Sequence, residues 1–381
     1  MNAVEVKEAI GNTVVAVGAL DFDHRKTGIA PRRLPAWTRD QVPTPMDAML
    51  RMPSGVRLRF STDAARVGLH FLASAIASSP EQRRSINLNL ECEGELWSAR
   101  SNAGNTIVIN PEDPSGYQLA RGDSDTVWFS DLPEHDKTCE IWLPHNAFIE
   151  LRELVVDDDK YIRSPAADER KRWIHYGSSI SHCMEAEQPA YIWPAVAARE
   201  AGVTLLNLGF GGQCHLDQFV ARTIRDADAD IISIKVGINI INMDSMRERV
   251  FVPALHGFLD TIRERKPKTP TVLISPIFCP SAEHHPGPMV PNAEGKFVTL
   301  DGHSELRAGC MSLSRVRELI EDTVERRADN NLGYLNGLDL FGEADAPDLP
   351  DDLHPNPKGY IRMGHRFAQL KLTSLASSAP R

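Results

Sequence analysis

The tripeptide Gly177-Ser178-Ser179, with Ile180-Ser181 behind it, follows the strand-like run Arg172-Trp173-Ile174-His175-Tyr176. A small-residue turn after a strand opens the N-terminus of a helix. A serine there stands at the C-terminal edge of a sheet, beside backbone N–H donors. An α/β enzyme places a nucleophilic hydroxyl at such an edge. Far downstream, Asp351-Asp352-Leu353-His354-Pro355 holds what such a serine needs. A histidine can take its proton, and a carboxylate can orient the histidine. Alone, Gly-Ser-Ser is an ordinary turn and Asp-x-x-His an ordinary helix cap. Their setting alters that reading. Between them lie Asn207-Leu208-Gly209-Phe210-Gly211-Gly212 and Val236-Gly237-Ile238-Asn239, each closing an apolar, strand-like run.

This four-part order resembles the SGNH, or GDSL-type, serine hydrolase family over about residues 170–375. The family pattern is Gly-Asp-Ser, a glycine block, Gly-x-Asn-Asp and a closing Asp-x-x-His. The resemblance implies Ser179 as nucleophile, and His354 and Asp351 as base and orienting acid. It implies Gly212 and Asn239 as oxyanion-hole donors, joined by the backbone N–H of Ser179. Two positions depart from the pattern. Ser178 stands where the family has aspartate, and Ile240 where Gly-x-Asn-Asp has its last residue. Neither supplies the nucleophile, the base or a donor. Ser179 also lacks the flanking glycines of the α/β-hydrolase elbow Gly-x-Ser-x-Gly.

The chemistry fits those residue types. A serine hydroxyl attacks an ester or thioester carbonyl once a base accepts its proton, and an unperturbed histidine titrates near 6.5. Attack creates an oxyanion, and each fixed donor aimed at it is worth about 3–4 kcal/mol. Asp351 lies three residues before His354, within reach of its second ring nitrogen in a tight turn. Asp352 is the rival orienter.

At 381 residues the chain exceeds the usual size of one core, so two domains are expected. A net charge of -10 argues against a nucleic-acid surface. No apolar run nears the ~18 residues of a membrane span. Charges in the first eight residues argue against a signal peptide, so a cytoplasmic enzyme is expected. The six cysteines are scattered, without paired metal-ligand spacing, and read as reduced thiols. No cofactor and no metal site is expected. The adjacent His284-His285 lack a matching ligand set. His175 and His215, near the blocks, read as packed or hydrogen-bonded groups.

Patterning changes near residue 160. Before it, runs such as Val56-Arg57-Leu58-Arg59-Phe60 and Ile86-Asn87-Leu88-Asn89-Leu90 alternate with period two. They predict an all-β sandwich, jelly-roll-like, over residues 1–160. Acidic and Pro/Ala-rich residues at 157–167 read as a linker. Over 165–381, strands at 172–176, 203–206, 230–235 and 271–275 alternate with helices at 189–202, 217–227, 246–266, 306–327 and 357–372. That alternation predicts an α/β domain, a parallel sheet flanked by helices. The proline-containing stretch 278–304 reads as a long irregular loop. The two-domain layout resembles bacterial SGNH esterases and an acyltransferase of polyketide biosynthesis.

Three functions compete. The first is an esterase or deacylase that passes the acyl group of an ester or thioester to water. The second is an acyltransferase that moves it from a donor such as acyl-CoA to a hydroxyl of a small-molecule, polyketide-like acceptor. The third is a non-catalytic carbohydrate-binding protein, for which Trp37, Trp97, Trp128 and Trp142 could stack on sugars. Competent residues at every catalytic position weigh against the third. Acyl group, acceptor and oligomeric state are not legible.

Overall fold

The computed structural model describes residues 1–110 and 113–378. They divide into two compact units. The first holds Met1–Arg39, Asp47–Glu169 and Glu187–Ala190; the second holds Asp40–Met46, Arg170–Ala186 and Tyr191–Arg381.

The first unit is built on an eight-stranded and a five-stranded sheet. Alternation made their inner faces. In Ile86–Cys92, residues Ile86, Leu88, Leu90 and Cys92 are buried; in Arg57–Thr62, Leu58 and Phe60 are. The long strand Ala147–Val156 buries Ala147, Ile149 and Leu151, then Leu154 and Val156. A register shift between Leu151 and Glu153 moves the apolar set from odd to even positions. One extra residue does this without turning the strand's core face outward. Of the four tryptophans, Trp142 is buried under the Arg57 guanidinium at 4.6 Å, and Arg66 covers Trp128 at 3.9 Å. Trp97 packs partly against the core, and Trp37 is exposed.

The second unit carries a five-stranded parallel sheet. Its order is Thr204–Gly209, Arg172–Gly177, Ile231–Lys235, Thr271–Ile274, Leu332–Leu335. Every residue of Ile231–Lys235 and Thr271–Ile274 is buried. Helices cover both faces, so these strands are buried along their whole length and show no period-two alternation. The fifth strand, Leu332–Leu335, and the short helix Ile238–Asn242 are absent from the sequence reading. The helix expected over 306–327 runs from Leu313 to Arg327. Gly309, at φ +77°, ends the preceding turn, and the Ser312 side chain caps the helix by accepting from the Arg315 N–H. The stretch 278–304 is not wholly irregular. Met289–Pro291 and Phe297–Thr299 pair as a hairpin. Asn292 closes its turn by accepting from the Glu294 and Lys296 N–H groups at 2.9 and 3.0 Å. No helix among the described residues is long and apolar enough to cross a membrane.

Candidate active site

The strand Arg172–Gly177 delivers its chain to a four-residue helix, Ser179–His182. Ser178 is the N-cap, and its hydroxyl accepts from the Ile180 N–H at 3.4 Å. That engagement buries Ser178 and leaves Ser179, the next residue, half-buried at the sheet edge. His354 Nε2 lies 2.9 Å from Ser179 Oγ, and His354 Nδ1 lies 2.7 Å from Asp351 Oδ2. The other oxygen of Asp351 accepts from the N–H groups of Leu353 and His354 at 3.0 and 2.6 Å. One carboxylate thus holds both the turn and the ring. With Nδ1 carrying the proton, Nε2 is left as acceptor for the Ser179 hydroxyl.

The electrostatics follow from those contacts. Burial opposes a charged His354. The Asp351 hydrogen bond and the negative charges of Glu185 and Asp351 outweigh it and raise the pKa above its ordinary value. Burial also pushes Asp351 up, but hydrogen bonds from the His354 ring and backbone bring it below the usual carboxylate range. Asp352, the rival, has left-handed backbone at φ +62°, and its carboxylate pairs with Lys296 at 3.1 Å. Phe297, from the hairpin, sets its ring edge-on to His354 at 5.8 Å, and its N–H donates to the Asp351 carbonyl at 2.9 Å.

The blocks holding Gly212 and Asn239 follow the strands on either side of Arg172–Gly177. Gly177 is level with Gly209, and Tyr176 with Ile234. Neighbouring strands lie about 4.8 Å apart, so all three loops leave one short stretch of the sheet edge. Gly212 has φ +68°, a conformation that glycine adopts freely. Asn239 is buried on the helix Ile238–Asn242, and its Oδ1 accepts from the Cys214 N–H at 3.1 Å. The carbonyl side of the amide is therefore engaged, and its NH₂ is the group left to donate. Gly237 makes the turn before it. A Cβ there would lie 2.6 Å from Pro276 and 2.7 Å from Val316, at φ +132°.

Beneath Ser179 lies a second polar chain. His175 Nε2 is 2.7 Å from Ser181 Oγ, and His175 Nδ1 is 2.7 Å from Ser233 Oγ, which also accepts from Trp173 Nε1 at 2.8 Å. His215 bonds Ser245 and the Gly212 carbonyl, so it braces the glycine loop. Glu283 is paired with Arg317 at 2.6 Å, while His284 and His285 are exposed. Sequence reasoning missed Glu185, which accepts from the buried Tyr360 hydroxyl at 2.7 Å, and the hairpin residue Phe297. It also missed Lys235, for which a signal existed: one lysine closing an apolar strand run.

Residues 170–284 match the GDSL-like Lipase/Acylhydrolase family, and residues 14–152 match the SsfX3 N-terminal domain. The first match contains Ser179, Gly212 and Asn239 and ends before Asp351 and His354. No curated protein sequence matches the chain. Among solved structures, the salicylyl-acyltransferase SsfX3 from a tetracycline biosynthetic pathway is 25% identical. Its match covers 100% of this chain and 99% of that one, with a TM-score of 0.80. A GDSL-like lipase from Bacteroides ovatus is 18% identical, covering 99% of this chain and 98% of that one, with a TM-score of 0.69. A family two carbohydrate esterase from Cellvibrio japonicus is 11% identical over 99% of this chain and 98% of that one, with a TM-score of 0.58. These last two share the fold. The chain thus resembles the GDSL-like lipase/acylhydrolase family over residues 170–284 and the SsfX3 N-terminal domain over residues 14–152, and it aligns from end to end with one solved acyltransferase.

Proposed function

We propose that this acyl-transfer enzyme works through an acyl-enzyme on Ser179 and passes the acyl group of a small ester or thioester to water. The Ser179–His354–Asp351 chain, with contacts of 2.9 and 2.7 Å, carries this reading. His354 takes the hydroxyl proton as Ser179 Oγ bonds to the carbonyl carbon. Asp351 stabilises the imidazolium so formed. The N–H groups of Ser179 and Gly212 and the amide of Asn239 receive the oxyanion. His354 then gives its proton to the departing alcohol or thiol, and water repeats the sequence to release the acid. No step calls for a cofactor or metal.

A second reading has its own support. The whole-length likeness to SsfX3, together with the SsfX3-type N-terminal domain, favours a hydroxyl acceptor in place of water, with acyl-CoA as one candidate donor. The six free cysteines favour a reducing, cytoplasmic site of action. One experiment separates the readings. Purified enzyme is given aryl esters and acyl thioesters, with and without small hydroxyl acceptors, and acid and ester products are counted. Free acid in both arms supports hydrolysis. Ester formed at the expense of acid supports transfer. No turnover of any activated ester, with folded protein, contradicts both.

A further inference from the structure

Lys235 ends the strand beside the nucleophile strand, four residues before Asn239. It is 2% exposed, and among the described residues its ammonium makes no hydrogen bond or ion pair. An unpaired buried cation is expensive in a folded protein. The charged and titratable groups facing it come from four elements. They are His175 on the nucleophile strand, Cys183 closing the nucleophile helix, Cys214 in the glycine-block loop and Arg317 on the helix Leu313–Arg327. None of these is a carboxylate. Burial raises the thiols of both Cys183 and Cys214, which keeps them neutral. His175 is held neutral by burial and by Lys235 itself. Arg317 is spent on Glu283. Among the described residues no carboxylate faces the charge on Lys235.

Its neighbours are the segments that carry the donors. Cys183 caps the helix that begins at Ser179, and its N–H donates to the Ser179 carbonyl at 2.7 Å. The Cys214 N–H fixes the Asn239 amide, and the Cys214 thiol donates to the Lys235 carbonyl at 3.6 Å. We propose that Lys235 is a positioning residue for the oxyanion hole, a buried positive charge behind the Ser179 and Asn239 segments that is compensated only when the oxyanion forms. This rests on the oxyanion-hole reading given above. A charge left unanswered in the ground state and answered in the transition state raises kcat more than it lowers KM. Burial pushes the Lys235 pKa down to about 8. Its proton is therefore lost as pH rises through that value, and kcat falls with it.

The test compares wild type, Lys235→Met, Lys235→Arg and Asn239→Ala on an activated aryl ester from pH 6 to 10, with melting curves for each. Wild-type kcat should show a descending limb centred near 8. Lys235→Met should lower kcat at neutral pH by about tenfold or more, leave KM nearly unchanged and remove that limb. Lys235→Arg should keep more kcat and also lack the limb. Wild-type kcat that stays level to pH 10 overturns the proposal even if Lys235→Met does not fold. A Lys235→Met enzyme with wild-type kcat and pH profile also overturns it. If Asn239→Ala still loses kcat, the failure is that of Lys235 alone; if neither variant loses kcat, the oxyanion-hole reading fails as well.

Discussion

Two serine–histidine pairs flank one short helix, and they are built to opposite ends. Ser179 meets His354 at 2.9 Å, and Ser181 meets His175 at 2.7 Å. Contact distance does not tell them apart. Their surroundings do. His354 has Asp351 on its far nitrogen, and its pKa is raised. His175 has the Ser233 hydroxyl there, is fully buried, and is pushed well below its ordinary value by burial and by Lys235. Gaining a proton is easy for the first ring and very costly for the second. A hydroxyl becomes a nucleophile where the imidazolium it creates is stabilised. Where the imidazolium is not, the same contact only fastens a helix to a strand.

Substitutions can break this contrast at graded strength. The largest loss is expected for Ser179→Ala and His354→Ala, which should each reduce kcat by several orders of magnitude on an aryl ester, with folded protein by circular dichroism. Asp351→Asn should follow, losing somewhat less. It would also move the acid limb of kcat/KM. In the wild type that limb should lie above pH 6.5, because His354 must be neutral to act and its pKa is raised. Without the carboxylate the limb should shift downward. Asp352→Asn should do neither, since Asp352 pairs with Lys296. Next in size is Asn239→Ala, with kcat down by about a hundredfold and a smaller change in KM. Smallest in catalysis is Ser181→Ala. It should keep most activity yet lower thermal stability by about 1–3 kcal/mol, since His175 loses a buried partner. Activity lost in Ser181→Ala at unchanged melting temperature would make the two pairs alike.

The sequence showed the loops of this site better than the groups behind them. Ser179, Gly212, Asn239 and the Asp351–His354 turn each follow a strand or precede a helix, where glycine, asparagine and serine stand out against apolar runs. The parallel sheet was legible for the same reason. The strand Leu332–Leu335 was not, since Leu-Gly-Tyr-Leu is too short and too broken for its period to declare itself. The helix expected from residue 306 began at Leu313, because Gly309 and the Ser312 cap outweighed the apolar spacing before them. The hairpin that brings Phe297 to His354 lay hidden among prolines. By residue type alone Ser181 and Ser179 are equivalent, and only the family resemblance singled out Ser179. Which serine faces a histidine with a carboxylate behind it depends on a contact 175 residues away in sequence.

The measurement that tests this account most directly is covalent labelling with a fluorophosphonate, followed by peptide mapping of the segment around residues 177–183. One adduct on Ser179, lost in His354→Ala and retained in Ser181→Ala, is the predicted result. An adduct on Ser178 or Ser181, or labelling that survives removal of His354, would contradict it.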